Sequence, residues 1–317
     1  MKIGVVGCGA VGSYYGAKLG HSGQEVHFLL RSDYDAVRRK GVLVRSAEGD
    51  IRHHPKCAQT PEEIGVCDLV VVAIKTTAND QLVRLLTPLV GPTTAVLTLQ
   101  NGLGNEEALA GLFGAETILG GLCFVCVNRI EPGLIQHIAY SKIVMGEYRR
   151  WPEPRTHDIA SIIRHAGVPC KVTESLETAH WEKLVWNVPF NGLGVAAAAG
   201  YDSVISGALP TNAKLQGCMT SDQLLDKGHW EQLVREVIAA AVALKLKVPA
   251  SSEEKQVERT RDMGAYKAST ILDFEKGLPL ELDSLFLEPL RQAQAAGVAM
   301  PRLTAMCEVL KALGERR

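Results

Sequence analysis

Six residues near the N-terminus constrain this chain more than any other feature. Gly7-Cys8-Gly9-Ala10-Val11-Gly12 is a GxGxxG run that directly follows a short apolar segment, Lys2–Val6. It opens a stretch with helical spacing, Ala10–Ser22, and a second strand-like stretch, Glu25–Leu30, comes next. The run therefore sits inside a βαβ unit of ordinary size. The pattern alone is common, but in this setting each glycine has a physical task. Gly7 permits a tight turn, Gly9 lets the backbone approach a pyrophosphate, and Gly12 lets the helix lie close on the strand. N–H groups at the start of the helix favour an anion. Cys8, Ala10 and Val11 complete the loop and count with the glycines as dinucleotide contacts. The alternative, a glycine-rich turn with no ligand, accounts less well for the strand, turn and helix around it.

The rest of the first half keeps the same rhythm. Leu69–Ile74 (LVVVAI) is a continuous apolar run, as in a strand buried on both faces. Ala95–Leu99 follows a Gly91-Pro92 turn, Gly133–Glu147 extends the sheet at one edge, and Val168–Val172 is the last strand after a helix over Asp158–Ala166. Strands separated by helices imply a parallel sheet. YRRWPEP, Tyr148–Pro154, is a polar connection with two prolines. After Glu174 only helices are expected: Thr178–Asn187, Gln223–Leu246, Glu253–Lys276, Leu282–Ala296 and Leu303–Leu313, with Gly228, Gly264 and Gly297 as punctuation. At 317 residues the chain is long for one core. The expected fold is an α/β Rossmann-like N-terminal domain over residues 1–174, binding a dinucleotide. An all-α C-terminal domain over 175–317 follows, for substrate and dimerisation.

Charge and cysteine usage exclude several classes. The net charge of −1 gives no electrostatic footprint for nucleic acid or an anionic membrane. No apolar run reaches the roughly 18–20 residues of a membrane span. Only Lys2 precedes the first apolar stretch, which leads into the glycine loop rather than a cleavage site, so a cytoplasmic location is expected. Eight cysteines are scattered, several in apolar runs. Cys123 and Cys126 form one CxxC without a second pair, which points to core packing rather than a metal site, and no metal is expected.

The end of the second strand speaks to the cofactor. NAD sites usually carry an acid about 20 residues after the loop, on the ribose 2′-hydroxyl. Here the strand ends Leu29-Leu30-Arg31-Ser32. A cation in that region suits a 2′-phosphate, so NADPH is the expected cofactor. Asp33 stands nearby and argues the other way, and Arg31 read blandly is a surface charge.

Five segments taken in order resemble ketopantoate reductases (2-dehydropantoate 2-reductases) over essentially the whole chain. They are GCGAVGSYYGAKL, VAIKT with Lys75, LQNGLGNEE with Asn101, HWEKLVWNVPFN with Lys183, Asn187 and Asn191, and KASTILDFEKGLPLELD with Ser269 and Glu281. The resemblance implies NADPH-dependent reduction of ketopantoate to pantoate, a step of pantothenate and coenzyme A biosynthesis. It implies that Lys75 and Asn101 lie along the cofactor and that Lys183 gives a proton to the ketone. It further implies that Asn187, Asn191 and Ser269 hold the substrate and that Glu281 bridges cofactor and substrate. The implied partner is a small 2-oxo acid, with room for a homodimer.

The residues themselves are compatible with these roles. Lys183 and Asn187 are i and i+4 and share a helix face, and Asn191 continues the row with some drift. Buried amides need partners, which a ligand's oxygens supply. An ammonium stabilises the charge that grows on a ketone oxygen as hydride arrives. By periodicity alone, a solvated helix face with a surface lysine fits equally well. Glu281 is either a helix-start charge or, with Asp283 taking that role, an acceptor facing the ligands. Ser269 reads equally as an ordinary helix serine.

Two departures from the family pattern stand out. Asn191 is followed by Gly192 where the family has proline, and Pro189 lies two residues earlier, where it should kink the turn. The tract Gly192–Gly200 (GLGVAAAAG) offers no polar contact. A reductase of another 2-oxo acid and a non-catalytic NADPH-binding regulator are the competing readings.

Overall fold

The structure is a computed structural model that describes residues 1–200, 215–228, 230–249, 251–263 and 266–315. It divides into two compact units, one of Met1–Asn101 with Asn105–Leu176 and one of Gly102–Gly104 with Glu177–Arg317.

The first unit is a ten-stranded mixed sheet with helices. Its strands are β1 (Lys2–Val6), β2 (Glu25–Leu29), β3 (Val42–Ser46), β4 (Ile51–His53), β5 (Lys56–Ala58), β6 (Leu69–Val72), β7 (Ala95–Thr98), β8 (Ile118–Glu131), β9 (Leu134–Glu147) and β10 (Cys170–Val172). The helices between them are α1 (Ala10–His21), α2 (Tyr34–Lys40), α3 (Pro61–Ile64), α4 (Leu82–Leu86), α5 (Asn105–Phe113) and α6 (Pro154–His165). The order across the sheet is β4-β3-β9-β8-β7-β6-β1-β2-β5, with β10 on β9. From β8 through β5 the neighbours are parallel, while β8 and β9 pair antiparallel.

The apolar run at Leu69 explains why this sheet is covered on both sides. Leu69 and Val71 join Ile3, Val5 and Leu97 in one core, whereas Val70 and Val72 join Val6 and Val96 in another. Alternate residues of one strand thus face opposite helix layers, and no position is left for a polar side chain. The chain runs from β1 outward to β2, then returns to the other side of β1 at β6. This reversal creates a crevice at the carboxyl ends of β1 and β6, the place where open α/β sheets bind ligands.

Three short strands, β3, β4 and β5, were not expected from sequence. They span three to five residues and include exposed positions, so they carry little apolar signal. The strand-like setting of Cys123 and Cys126 belongs to the 14-residue β8. All eight cysteines are free thiols.

Among the described residues, the second unit is helical. Its longest helix, α7 (Leu176–Ala196), begins at the last residue of the first unit. Then come α8 (Ser221–Lys227), α9 (Trp230–Ala243), α10 (Ser252–Met263), α11 (Ser269–Glu275), a π-type turn at Asp283–Leu287, α12 (Glu288–Ala295) and α13 (Pro301–Glu315). The helix expected over 223–246 is two helices, parted at Gly228, whose φ of 75° ends the first of them. Residue 229 within that span, and residues 264 and 265 within the helix expected over 253–276, lie outside the described residues. Gly264 is one of them.

Pro189 does not end α7, which was expected to stop at Asn187. Proline removes one i→i−4 bond, here to the Val185 carbonyl. Burial compensates: Leu184, Val185, Val188, Phe190 and Leu193 are all inside one apolar cluster. The tract after Asn191 has a packing role. A Cβ on Gly192 would strike Met306 and approach Phe286 Cε1 at 3.0 Å, and one on Gly194 would lie 3.0 Å from the Met219 carbonyl. Small residues let neighbouring segments approach the helix backbone.

Gly102–Gly104 folds with the helical unit. Gly102 has φ +87°, and a Cβ there would overlap Ser284. The Leu103 N–H donates to the Ser284 carbonyl at 2.9 Å, and the Leu103 side chain is part of the helical core.

Candidate active site

The glycine loop follows directly from the β1–β6 crevice. Gly7 has φ +99°, and a Cβ there would run into the backbone of Ala73 and Ile74 at the end of β6. Gly12 lies on the Gly7 carbonyl, with Ala73 Cβ 3.2 Å from where its own Cβ would be. Gly9 is different: no heavy atom lies within 4 Å of a Cβ built on it. Two glycines are therefore demanded by the protein's own packing, and the third borders open space. The N–H of Gly9 donates to the Gly7 carbonyl at 2.8 Å and Ser13 Oγ donates to the Cys8 carbonyl at 2.9 Å. These bonds fix the loop, while the start of α1 has no side-chain cap and no acid in its first turn. Its leading N–H groups lack helical acceptors by geometry. Such a cradle fits an anionic pyrophosphate. Burial, with Cys57 and Asp33 adding to it, pushes the Cys8 thiol well above its usual range, so the loop cysteine stays protonated.

Arg31 is exposed at the end of β2, and among the described residues it makes no ion pair. Asp33, the acid that clouded the sequence reading, is only 7% exposed. Arg129 donates to both of its oxygens, Nε to Oδ2 at 2.8 Å and Nη2 to Oδ1 at 2.5 Å, and Ser32 Oγ donates to Oδ1 at 2.9 Å.

The next two strand ends carry Lys75 and Asn101. Lys75 is exposed at the turn after β6, and Asn101 is half-buried after β7. An amide network ties the two turns. Gln100 Nε2 donates to the Ile74 carbonyl at 3.1 Å and to Asn79 Oδ1 at 2.8 Å. Thr98 Oγ1 donates to Gln100 Oε1 at 3.0 Å. Asn79 Nδ2 donates to Asn105 Oδ1 at 3.2 Å, and Asn105 Nδ2 to the Asn101 carbonyl at 3.0 Å. Sequence reasoning passed over Gln100 and Asn105, although both lie within the segment LQNGLGN. Gly7, Arg31, Lys75 and Asn101 all stand at carboxyl ends of parallel strands.

In the helical unit, Lys183, Asn187 and Asn191 lie on the single helix α7. Lys183 is half-buried, and the two amides are 7% and 4% exposed. Asn191 Oδ1 accepts from Thr270 Oγ1 at 2.9 Å and from the Thr270 N–H at 3.4 Å, so this amide ties α7 to α11. Thr270 is a partner that the sequence reading missed. Asn187, one turn before Asn191 on the same helix, is likewise buried. An amide's oxygen and NH2 suit a ligand with both acceptors and donors. Ser269 is half-buried as the first residue of α11. Glu281 is 5% exposed and precedes the π-type turn, an irregularity often found at functional sites. Its carbonyl accepts from the Leu285 N–H at 3.3 Å. Among the described residues no group of three or more His, Cys, Asp or Glu is placed to hold a metal ion, and no helix is long and apolar enough to cross a membrane.

Comparison with known proteins matches this arrangement along the whole chain. The family described as "Ketopantoate reductase PanE/ApbA" matches residues 3–150, and its C-terminal counterpart matches residues 175–314. A 2-dehydropantoate 2-reductase of Nostoc sp. is 36% identical, covering 99% of this chain and 96% of that protein. The crystal structure of a 2-dehydropantoate 2-reductase from Geobacter metallireducens superposes with a TM-score of 0.89 at 42% identity, covering 98% of this chain and 99% of that one. A second, from Methylococcus capsulatus, has a TM-score of 0.86 at 32% identity, covering 100% and 97%. With both of its parts matched in order, this chain belongs to the ketopantoate reductase family of nicotinamide-dinucleotide-dependent oxidoreductases.

Proposed function

We propose that this protein reduces 2-dehydropantoate to pantoate with NADPH, in the cytoplasm, as a step of pantothenate biosynthesis. The observation that carries the reading is full-length similarity to 2-dehydropantoate 2-reductases, joined to a glycine cradle at the sheet's switch point. In this reading dinucleotide binding belongs to residues 1–174 and substrate binding to residues 175–317.

The bound cofactor supplies a hydride to the ketone carbon. The chain's own residues do the rest. Gly7–Gly12 receives the pyrophosphate on the first N–H groups of α1. Arg31 supplies the charge for the 2′-phosphate, a preference supported by its exposure at the strand end and by the engagement of Asp33 elsewhere. Lys75 and Asn101 flank the nicotinamide end. Lys183 stabilises the charge developing on the ketone oxygen and delivers the proton that completes the alcohol, so one hydride and one proton convert the 2-oxo acid to a 2-hydroxy acid. Asn187, Asn191 and Ser269 hold the substrate's oxygens, and Glu281 accepts hydrogen bonds from substrate hydroxyl and cofactor amide. Assembly as a homodimer belongs to the same reading, and sedimentation of the purified chain tests it.

The test is direct. Purified protein is mixed with NADPH and a panel of 2-oxo acids, and loss of NADPH absorbance is followed. The highest kcat/KM is expected for 2-dehydropantoate. A higher value for another 2-oxo acid refutes the substrate, and no turnover with any of them despite NADPH binding refutes the enzyme.

A further inference from the structure

Asp33 stands at the N-cap of a helix but does not behave as a cap. It is the residue before α2, yet its side chain makes no bond to the helix N–H groups. An aspartate at this position ordinarily accepts from the second or third N–H of the helix. Here both carboxylate oxygens turn instead to the guanidinium of Arg129, 96 residues later on β8, and one of them also to Ser32. The pair is bidentate, and the Asp33 side chain is only 9% exposed against 38% for Arg129. The acid is thus fixed in place by a fork that matches its geometry. Its position in the chain, just beyond β2 and about 20 residues after the glycine loop, is where an NAD site places the acid that accepts the ribose 2′-hydroxyl.

Resting on the NADPH reading above, we infer that Arg129 is a specificity-determining residue for the cofactor's 2′-phosphate. By taking both oxygens of Asp33 it withdraws the acceptor that a 2′-hydroxyl would use. It also cancels a negative charge that would repel a 2′-phosphate, and leaves Arg31 as the unopposed cation at the end of β2. Discrimination between two ligands often depends on a repulsive element, and here the repulsive element is present but neutralised. Arg129 acts through Asp33, so it is a positioning residue whose signature is a ratio of two affinities.

The experiment measures NADPH and NADH dissociation constants of the full chain by fluorescence titration, with folding followed by circular dichroism. Wild type is expected to prefer NADPH by roughly tenfold to a hundredfold, and Arg31→Ala to erase most of that. Arg129→Gln is expected to lower the preference by about tenfold or more, through weaker NADPH binding with NADH binding held or improved. Arg129→Gln combined with Asp33→Asn is expected to restore the wild-type ratio, because the freed acid is gone. If Arg129→Gln does not fold, Arg129→Lys carries the test: it keeps the charge but breaks the fork, and the ratio should fall by about threefold. Equal weakening of both cofactors in the Arg129 variants, or no recovery in the double variant, overturns the inference and leaves a purely structural ion pair. A wild type with no NADPH preference overturns the NADPH reading itself, a result visible before any variant is made.

Discussion

Gly9→Val and Gly12→Val should part company, although both change the same short loop. The N-cap residue Gly9 has φ −77°, outside the left-handed region, and no atom lies within 4 Å of its missing Cβ. The fold loses only the modest N-cap advantage of glycine, under about 1 kcal/mol. A branched side chain there projects into the space a pyrophosphate would occupy. If it denies the phosphates two N–H contacts worth about 1.5–3 kcal/mol each, the loss is about 3–6 kcal/mol. NADPH should then bind roughly 10²–10⁴-fold more weakly. Gly12→Val places its Cβ on the Gly7 carbonyl and against Ala73, so the cost falls on the protein itself. Overpacking of this kind costs about 1–3 kcal/mol or more. At about 2–4 °C per kcal/mol, Gly12→Val should lower Tm by several degrees, with Gly9→Val within about 4 °C of wild type. Tm is read by circular dichroism and binding by fluorescence titration. A folded Gly9→Val that binds NADPH normally would falsify the cradle, and a Gly9→Val as unstable as Gly12→Val would show that open space has been misread as a ligand site.

Other perturbations separate chemistry, packing and titration. Lys183→Ala should lower kcat on the best 2-oxo acid by about 10²–10⁴-fold with NADPH affinity nearly unchanged, whereas Asn187→Ala should mainly raise KM. Near-normal turnover in Lys183→Ala would move the proton donor elsewhere, with Lys75 the next candidate. Gly192→Leu should destabilise the helical unit by about 1–3 kcal/mol in urea, since its side chain must displace Met306 and press on Phe286. An unchanged midpoint would show that the tract is loosely packed. Burial, with help from His21 and His54, lowers the pKa of His53 below 6.5, and its ring packs over Gly20. A folded-state pKa below the unfolded one means that, as pH falls through 6.5, the unfolded chain takes up the proton first and stability drops. Tm should therefore fall less between pH 7 and pH 5 in His53→Gln than in wild type, and parallel curves would dismiss this histidine.

What could be read from sequence follows the range of the interactions involved. The loop, the first two strands and LVVVAI were legible because their signals are local: glycine spacing, and apolar runs that only a doubly covered strand requires. The helical second half was legible by the loss of strand signal. The length of α7 was not, because Pro189 is a local breaker overruled by burial on every side, a property of the folded unit alone. The short strands β3 to β5 depend on pairing rather than on their own composition. The exposed position of Arg31 at a strand end was legible, while the ion pair that holds Asp33 was hidden. Its partner stands 96 residues away, and no spacing rule connects them. Thr270 was hidden for the same reason: it meets Asn191 across 79 residues.

The placement of Gly102–Gly104 bears on how such a protein can be cut, shuffled or inherited. The chain leaves the first unit after Asn101, returns at Asn105 and leaves again after Leu176, so it passes between units three times. A gene fragment beginning at residue 175 would lack Leu103, a member of its own product's core, and the N–H that caps the Ser284 carbonyl. Such a fragment should fold poorly alone and improve when a peptide containing Gly102–Gly104 is supplied in trans. The two halves look like interchangeable modules in the linear sequence, yet one borrows a piece of chain from within the other. Recombination at the obvious junction would join the sheet-bearing half to a foreign helical half whose complementary tripeptide it does not carry. A lineage of such proteins is therefore constrained to exchange the two halves together.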